Sequence, residues 1–235
     1  MAAGSGFNIF PLGDSAVLAE FGTSLDLDVN ARLQRLAEAV RAKAVPWIGD
    51  IVPALGSLAL HFDPARVPTG LDPVEAAERL LRDCLRGGLR APRARILSLE
   101  VPVCYDAEFG PDLGVVAEQV KLSAGEVIRR HTATGHRVLM MGFAPGQPYI
   151  GGLDAALALP RRATPRTHVP AGSVAIANAQ TAVYPFEISG GWNVIGRTPL
   201  RVFDVARDPA ALFAPGMSVR FVAISRAEYE RRCAP

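Results

Sequence analysis

The sequence predicts an α+β N-terminal domain of ferredoxin-like type, residues 1–90, followed by an all-β barrel domain, residues 91–235. The first part alternates strands and amphipathic helices in the order β-β-α-β-β-α, which suits a small two-layer sandwich. Between Gly142 and Pro199 there are eight glycines and seven prolines, and helical periodicity disappears. Short strands separated by Gly and Pro are typical of a closed or nearly closed barrel, because closure removes exposed strand edges.

The elements of the first domain follow from local signals. Gly13-Asp14 predicts a hairpin turn between two strands, and Asp72 followed by Pro73 predicts the start of a helix that ends at Gly87. Residues 86–95 carry two glycines and a proline and are the predicted linker. The predicted elements are strands at 7–11, 16–21 and 57–62 and helices at 29–42 and 72–86.

The second domain begins with a predicted strand at 95–103. Two helices follow, at 113–120 and 123–131, and the second starts with a capping box from Ser123 to Glu126. Short β-type runs then predict the strands of the barrel, at 174–177, 182–186, 192–195, 200–204 and 219–224.

Composition excludes several classes of protein. Hydrophobic residues make up 49% and charged residues 20%, which predicts a packed core, and the net charge of +2 is too small to indicate nucleic acid or an anionic membrane as a partner. The cysteines, Cys84, Cys104 and Cys233, lack metal-ligand spacing and indicate reduced thiols. No signal peptide or membrane span is predicted, so we expect a cytoplasmic protein.

The common catalytic signatures are missing from the sequence. It contains no phosphate-binding P-loop, no dinucleotide-binding glycine motif and no zinc-protease motif. The four histidines are too scattered to indicate a metal site, and none is predicted.

Residues 142–153 form a dense Gly/Pro segment that contains Gly146 and Tyr149. One interpretation is a structural loop of tight turns. The other is a rigid loop facing a ligand, in which glycines let the backbone approach and Tyr149 offers a stacking face.

Residues 160–174 carry Arg161, Arg162 and Arg166 among three prolines. A charge cluster is often a solvated face. The alternative is an anion site, because arginine binds a carboxylate or phosphate through two parallel hydrogen bonds, and Arg166 is the first choice for that role.

Residues 180–199 carry aromatic and polar side chains at strand-like positions. Tyr184 and Trp192 are predicted to be core or interface anchors. Polar groups there could instead converge at a barrel mouth, namely Gln180, Glu187, Arg197 and Thr198. Exposed aromatics of the second domain, Phe143, Tyr149 and Trp192, are predicted to form a partner surface.

Read in order, these segments resemble the family that comprises the B-type subunit of 5-oxoprolinase, the kinase inhibitor KipI and the allophanate hydrolase subunit 1 domain of urea carboxylase. The resemblance covers nearly the whole chain, from Gly13-Asp14-Ser15-Ala16 through Phe109-Gly110-Pro111-Asp112-Leu113 to Val219-Arg220-Phe221. It is most specific in the arginine segment, Pro160-Arg161-Arg162-Ala163-Thr164-Pro165-Arg166-Thr167.

The resemblance implies a cyclophilin-like barrel and a complex with a C-type and an A-type subunit. It implies that the complex uses ATP, with Mg²⁺, to open the lactam of 5-oxoproline to glutamate. The residues that we predict to take part in catalysis are Arg161, Arg162, Arg166, Gln180 and His131. Those that we predict to bind the substrate are Gly146, Tyr149, Tyr184, Trp192, Arg197 and Thr198.

The sequence departs from the family pattern at Gln147, where phenylalanine is usual, at Ile188-Ser189 and at Met217. The departures leave open a related lactam or amide as substrate. Two other functions in the family are alternatives, inhibition of a sensor histidine kinase and a part in a biotin-dependent carboxyltransferase. Neither Lys43 nor Lys121 lies in a Met-Lys pair, so any biotin would be carried elsewhere.

Overall fold

The computed structural model describes residues 7–87, 97–133 and 135–233. The chain divides into two compact units, Met1–Arg95 and Ile96–Pro235. The predicted domain boundary at residue 90 and most of the predicted linker lie in 88–96, outside the described residues.

The described residues of the N-terminal unit form one antiparallel sheet with two α-helices. Its elements are β1 (Asn8–Pro11), β2 (Ala16–Glu20), α1 (Leu27–Ala42), β3 (Ile48–Pro53), β4 (Ser57–Phe62) and α2 (Pro73–Arg86). The strand order across the sheet is β1-β2-β4-β3. This is the predicted order of elements along the chain; the ferredoxin-like description of the unit stays a prediction.

Both helices of this unit begin at an aspartate that caps them. Asp26 accepts hydrogen bonds from the backbone N–H groups of Asp28 and Val29, and Asp72 accepts one from Glu75. Each cap satisfies backbone donors that the first turn leaves without partners. The apolar faces of the helices share one core with one face of the sheet, and its fully buried members include Leu33, Leu36, Leu58, Leu60 and Leu81.

Seven strands of the described residues close into a barrel in the second unit, which confirms the predicted barrel. In chain order the strands of this unit are β5 (Ser98–Cys104), β6 (His136–Met141), β7 (Pro148–Gly151), β8 (Arg166–Val169), β9 (Ser173–Ala177), β10 (Gln180–Val183), β11 (Ile188–Gly190), β12 (Asn193–Arg197) and β13 (Ser218–Ile224). Around the barrel the order is β10-β7-β6-β13-β5-β12-β9. β5 and β13 are parallel, and the other barrel pairs are antiparallel.

Two helices and a small sheet pack on this barrel. The helices α3 (Leu113–Gln119) and α4 (Ala124–Ala133) share the main core with the barrel strands, and α5 (Arg226–Cys233) ends the described chain. The small sheet consists of β8 and β11, which pair with each other. Val169 and Ile188 from this pair pack with Ala175, Ala182 and Val194 in a separate apolar cluster.

Some predicted elements were wrong. Residues 200–204 form no strand and only an isolated bridge joins Phe203 to Ala211, because this segment bonds to 210–212 rather than to a barrel strand: the Leu212 N–H donates to the Val202 carbonyl and the Asp204 N–H donates to Ala210. The segments 148–151 and 166–169, predicted as loops, are strands, and the strand at 136–141 was not predicted. Among the helices of the described residues, none combines the length and the hydropathy of a bilayer span.

Candidate functional site

Asp112 is the centre of a buried ion-pair network in the barrel unit. Its side chain is 2% exposed. Oδ1 accepts hydrogen bonds from Arg162 Nη1 at 2.6 Å and Arg166 Nη2 at 2.8 Å. Oδ2 accepts from Arg166 Nη1 at 2.6 Å and from the Val194 backbone N–H at 2.7 Å. The carboxylate therefore joins the arginine segment to β12.

The loop before α3 brings Asp112 close to β12 because Gly110 has no side chain. A Cβ at residue 110 would lie 2.2 Å from the carbonyl oxygen of Ile195. The Asp112 backbone N–H donates to the Val194 carbonyl at 3.0 Å, so this residue meets the strand through both backbone and side chain. Only glycine permits this approach.

The network gives two of the arginines an internal partner. Hydrogen bonding to Asp112 raises the pKa of the Arg166 guanidinium above its ordinary value. Arg162 and Arg166 are thus not a solvated face, since both bind the chain's own carboxylate, and their predicted role in binding an anion stays a prediction. The bidentate geometry predicted for Arg166 is present, but its partner is internal.

Arg161 differs from its two neighbours. It is exposed, and within the described residues it has no carboxylate partner. Its Cζ lies 5.9 Å from the centroid of the Trp192 ring, a cation–π distance. Asn193 Nδ2 donates to the Pro160 carbonyl at 3.1 Å, and the Arg162 N–H donates to Gly191 at 2.8 Å, so the backbone on both sides of Arg161 is held in place.

Three aromatic side chains lie beside Arg161. Tyr149 and Trp192 meet edge to face at 5.6 Å between ring centroids. Burial raises the pKa of the Tyr149 hydroxyl, and the charge of Arg161 opposes this shift. Burial also raises the pKa of Tyr184, against the hydrogen bond from the Trp192 backbone and the charges of Arg161 and Arg166. Arg161 and the rings of Tyr149, Tyr184 and Trp192 therefore form one cluster, here called the Arg161 cluster.

Gly190 is required by this arrangement, since a Cβ there would lie 2.2 Å from the Tyr184 hydroxyl oxygen.

Trp192 is only 5% exposed, so the prediction that it forms part of an exposed partner surface is wrong: its ring packs against Tyr149 instead. Phe143, at 65% exposure, is the exposed member of that predicted surface.

Buried polar atoms without a partner lie in the strands and turns of the barrel. In the described part of the chain they include Gln147 Oε1, Ser173 Oγ and Gln180 Nε2. Gln180 begins β10, two residues before Ala182, which packs in the same apolar cluster as Tyr184 and Trp192. A buried donor without an acceptor costs free energy, so Gln180 is a candidate ligand contact.

His131 lies apart from the arginine segment, in the interior of the barrel unit. Its Nδ1 is 2.7 Å from the Tyr105 hydroxyl and its Nε2 is 3.2 Å from Thr181 Oγ1. Burial, and then the neighbouring His136, hold its pKa well below 6.5. A fully buried imidazole with both nitrogens engaged serves the core, and the catalytic role of His131 stays a prediction.

Three other residues predicted to belong to the site make contacts within the barrel unit. Gly146 has a φ of +79° and its backbone packs against the Phe203 ring. Arg197 lies with its Cζ 5.3 Å from the Phe109 ring centroid, and Thr198 Oγ1 accepts from the Leu200 N–H at 3.3 Å. None of these contacts involves the Arg161 cluster.

Sequence reasoning missed Asp112. Its only local signal is a Gly-Pro-Asp sequence directly before a helix, which usually indicates a capping residue. The structure shows no side-chain capping bond for it. Fifty residues separate Asp112 from Arg162, so their pairing could not be deduced from spacing.

Known proteins resemble this chain over most of its length. A family model for the carboxyltransferase domain, subdomain C and D, matches residues 7–213. The B-type subunit of 5-oxoprolinase from Bacillus subtilis (strain 168) is 39% identical over 228 residues, 95% of each chain. The subunit of the same name from Escherichia coli O157:H7 is 40% identical over 211 residues, 90% of this chain and 93% of that one. This chain belongs to the family of 5-oxoprolinase B-type subunits.

Solved structures of similar chains share the fold. The protein TTHA0988 is 37% identical with a TM-score of 0.76 over 89% of this chain, which spans 40% of the length of that chain. The uncharacterized protein PH0987 from Pyrococcus horikoshii is 38% identical, with a TM-score of 0.56 over 94% of this chain and 100% of that one. The urea amidolyase of K. lactis, at 20% identity and a TM-score of 0.67 over 96% of this chain and 15% of that one, shows a shared fold alone.

Proposed function

We propose that this chain is the B-type subunit of an ATP-dependent 5-oxoprolinase, which opens 5-oxoproline to glutamate together with a C-type and an A-type subunit. Support comes from the two relatives of that name, at 39% and 40% identity over at least 90% of the chain. As part of a hetero-oligomer, the chain contributes residues to a site that is complete only in the assembly.

The environment of Arg161 is the main structural support for a contact between this chain and the substrate. It is exposed, its flanking backbone is fixed, and its guanidinium faces Trp192 rather than a carboxylate. The substrate has a carboxylate on a small ring, and arginine with aromatic neighbours suits both parts of such a molecule. We assign the carboxylate to Arg161 and the ring to Tyr149, with Trp192 as the buried side chain against which both are held.

Gln180 is the second contact that we assign to the substrate. A lactam carbonyl accepts hydrogen bonds, and Gln180 Nε2 is a donor without a partner among the described residues. Gln147 Oε1 is a buried acceptor that also lacks a partner among the described residues, but it lies at the other end of the β7–β10 pairing from Gln180, so we assign it no contact with the lactam.

ATP and Mg²⁺ do not fit a site built from this chain alone. Its sequence has no P-loop, and two of the three arginines in the segment are occupied by Asp112. Across residues 7–87, 97–133 and 135–233, no group of three or more His, Cys, Asp or Glu side chains could hold a metal ion. We therefore assign nucleotide and Mg²⁺ to the assembled complex.

The test is reconstitution. The purified chain, given ATP, Mg²⁺ and 5-oxoproline, should release no glutamate above background, and addition of the C-type and A-type subunits should give turnover. Turnover by the chain alone, or an inactive complex of three folded subunits, would reject the proposal. The kinase-inhibitor alternative predicts instead that the chain blocks autophosphorylation of a sensor kinase, which the same preparation can test.

A further inference from the structure

The N-terminal unit contains a cavity of about 310 Å³ that none of the contacts above uses. Its walls come from α1, α2 and the residue before β1. The residues that line it are Phe7, Arg32, Arg82, Leu85 and Arg86. Three of these five are arginines, so the cavity brings together several cationic side chains.

The positive charge of this cavity is only partly balanced. Arg82 Nε donates to Glu78 on its own helix at 2.8 Å, and Arg82 Nη2 donates to the same carboxylate oxygen. Arg86 lies 3.8 Å from Asp83, and both side chains are more than half exposed, so that pair contributes little. Arg32 has no carboxylate partner among the described residues. The cavity therefore presents a surplus of guanidinium charge.

Aromatic rings position two of these guanidinium groups. Phe7 and Phe21 stack with ring centroids 5.0 Å apart and planes 9° from parallel. Arg82 Cζ lies 5.0 Å from the Phe7 centroid, and Arg32 Cζ lies 5.6 Å from the Phe21 centroid. Stacking on a ring fixes a guanidinium without using its in-plane N–H donors. Arg82 gives Nε and Nη2 to Glu78, so the donors left for an anion are its Nη1 and those of Arg32.

We propose that this cavity binds the phosphate group of a small phosphate ester. Arg32, Arg86 and the remaining donors of Arg82 offer more N–H groups than the two oxygens of a carboxylate need, and they suit the non-bridging oxygens of a phosphate. Arg82 and Arg86 are one helical turn apart on α2, and Arg32 reaches the cavity from α1. Phe7 and Leu85 add an apolar wall for the organic part of the ester.

The size of the cavity limits the ligand. At about 310 Å³ it lies at the lower end of the range for small-molecule sites. A phosphorylated metabolite with a small apolar body fits this volume. Because the site lies outside the barrel unit and uses none of the residues of the Arg161 cluster, the proposal does not depend on the proposed activity.

Calorimetric titration of the whole chain at low ionic strength tests the proposal, with phenyl phosphate, inorganic phosphate and benzoate as probes. Phenyl phosphate should bind saturably and more tightly than the other two. Arg32→Gln and Arg86→Gln should each weaken its binding by roughly tenfold, the loss expected for one charge-assisted hydrogen bond. Arg86 is 78% exposed, so its replacement does not threaten the fold.

Arg35→Gln is the matched control. Arg35 is an exposed residue of α1 that does not line the cavity, and its Nε donates to the Ala31 carbonyl. The change removes the same charge, so binding should change by less than about twofold. The proposal is overturned by the absence of saturable binding, by tighter binding of benzoate than of phenyl phosphate, or by an equal loss in the Arg35 control.

Discussion

Arg166 binds Asp112 through two parallel hydrogen bonds, 2.6 Å from Nη1 to Oδ2 and 2.8 Å from Nη2 to Oδ1. Arg162 donates to the same carboxylate. The arginine segment is therefore held by a buried carboxylate as well as by its prolines. Two of its arginines position the third, and this division of roles produces separate predictions for residues only a few positions apart.

Arg166→Lys should destabilise the protein. A lysine keeps the charge but cannot form both hydrogen bonds, so we expect a loss of about 1–3 kcal/mol in the free energy of unfolding. Urea denaturation measures it. Arg220→Lys is the control, since Arg220 pairs with Glu100 on the surface, where both side chains are more than 60% exposed, and it should change stability by less than about 0.5 kcal/mol. Equal stability of the Arg166 variant and the parent would contradict the structural role.

Arg161→Lys should affect substrate binding and leave stability unchanged, in contrast to Arg166→Lys. Because Arg161 has no carboxylate partner in the described chain, stability should change by less than about 0.5 kcal/mol. In the reconstituted complex, the KM for 5-oxoproline should rise roughly ten- to a hundredfold, as expected for the loss of a charge-assisted contact. Exposed Arg137, replaced in the same way, should leave both quantities unchanged. An unaltered KM in the Arg161 variant would remove Arg161 from the substrate site.

His131 should make the barrel unit sensitive to acid. Its pKa is held well below the ordinary 6.5 by burial and by His136, whose own pKa is lowered as well. The unfolded chain therefore binds protons that the folded chain does not, and stability is lost as the pH falls through about 6.5. Urea midpoints from about pH 7.5 to about pH 5 measure the slope.

His131→Asn should flatten this pH dependence, whatever its effect on stability at neutral pH. His61→Gln, at an exposed position of the N-terminal unit, serves as the control and should leave the slope intact. If the stability of the parent protein does not decrease as the pH is lowered from 6.5, the assigned environment of His131 is contradicted.

Gly110→Ala should lower the free energy of unfolding, because Asp112 could no longer lie as close to β12. The new Cβ would lie 2.2 Å from a backbone oxygen of Ile195, and the strand cannot move aside without breaking the barrel. The expected loss is about 1–3 kcal/mol in the free energy of unfolding. Gly114, in the first turn of α3, has nothing within 4 Å of its Cβ position, so Gly114→Ala should stabilise by about 0.5–1 kcal/mol. Similar effects of the two changes would refute this.

Phe143→Ser should weaken assembly with the C-type subunit without lowering stability. Phe143 is 65% exposed and has a φ of +70°, so the turn presents an apolar ring to solvent in a strained backbone conformation. Co-elution of the two purified subunits measures the effect. Val205, at 85% exposure, is the matched control. If the Phe143 variant co-elutes with the C-type subunit as fully as the parent does, Phe143 is not part of the partner surface.

Local signals in the sequence were sufficient for the helices α1 to α4, but not for α5 or for several strands. The cap predicted at Asp72 and the capping residue Ser123 are both present, because each involves residues within one turn. The strand Arg166–Val169 pairs with Ile188–Gly190, about twenty residues away, and no local periodicity encodes such a partner. A proline at the start of β7 also made a strand look like a loop.

The sequence predicted which residues belong to the candidate site but not the role of each one. Tyr149, Tyr184 and Trp192 were selected by the Gly/Pro-rich segments around them, and the structure brings them together with Arg161. What the sequence could not show was burial: Asp112, at 2% exposure, binds Arg166, the residue first chosen for the ligand.

The parallel pairing of β5 with β13 has a consequence for the order of folding. The first strand of the barrel aligns with the last over seven residue pairs, and Glu100 and Arg220, which face each other there, are 120 residues apart. During synthesis, β5 must wait for nearly the whole domain to emerge before its parallel neighbour exists, and such long-range pairing is slow. A ribosome stalled or a protease acting before residue 218 would leave the edges of β5 and β6 uncovered, a state that invites pairing with another copy.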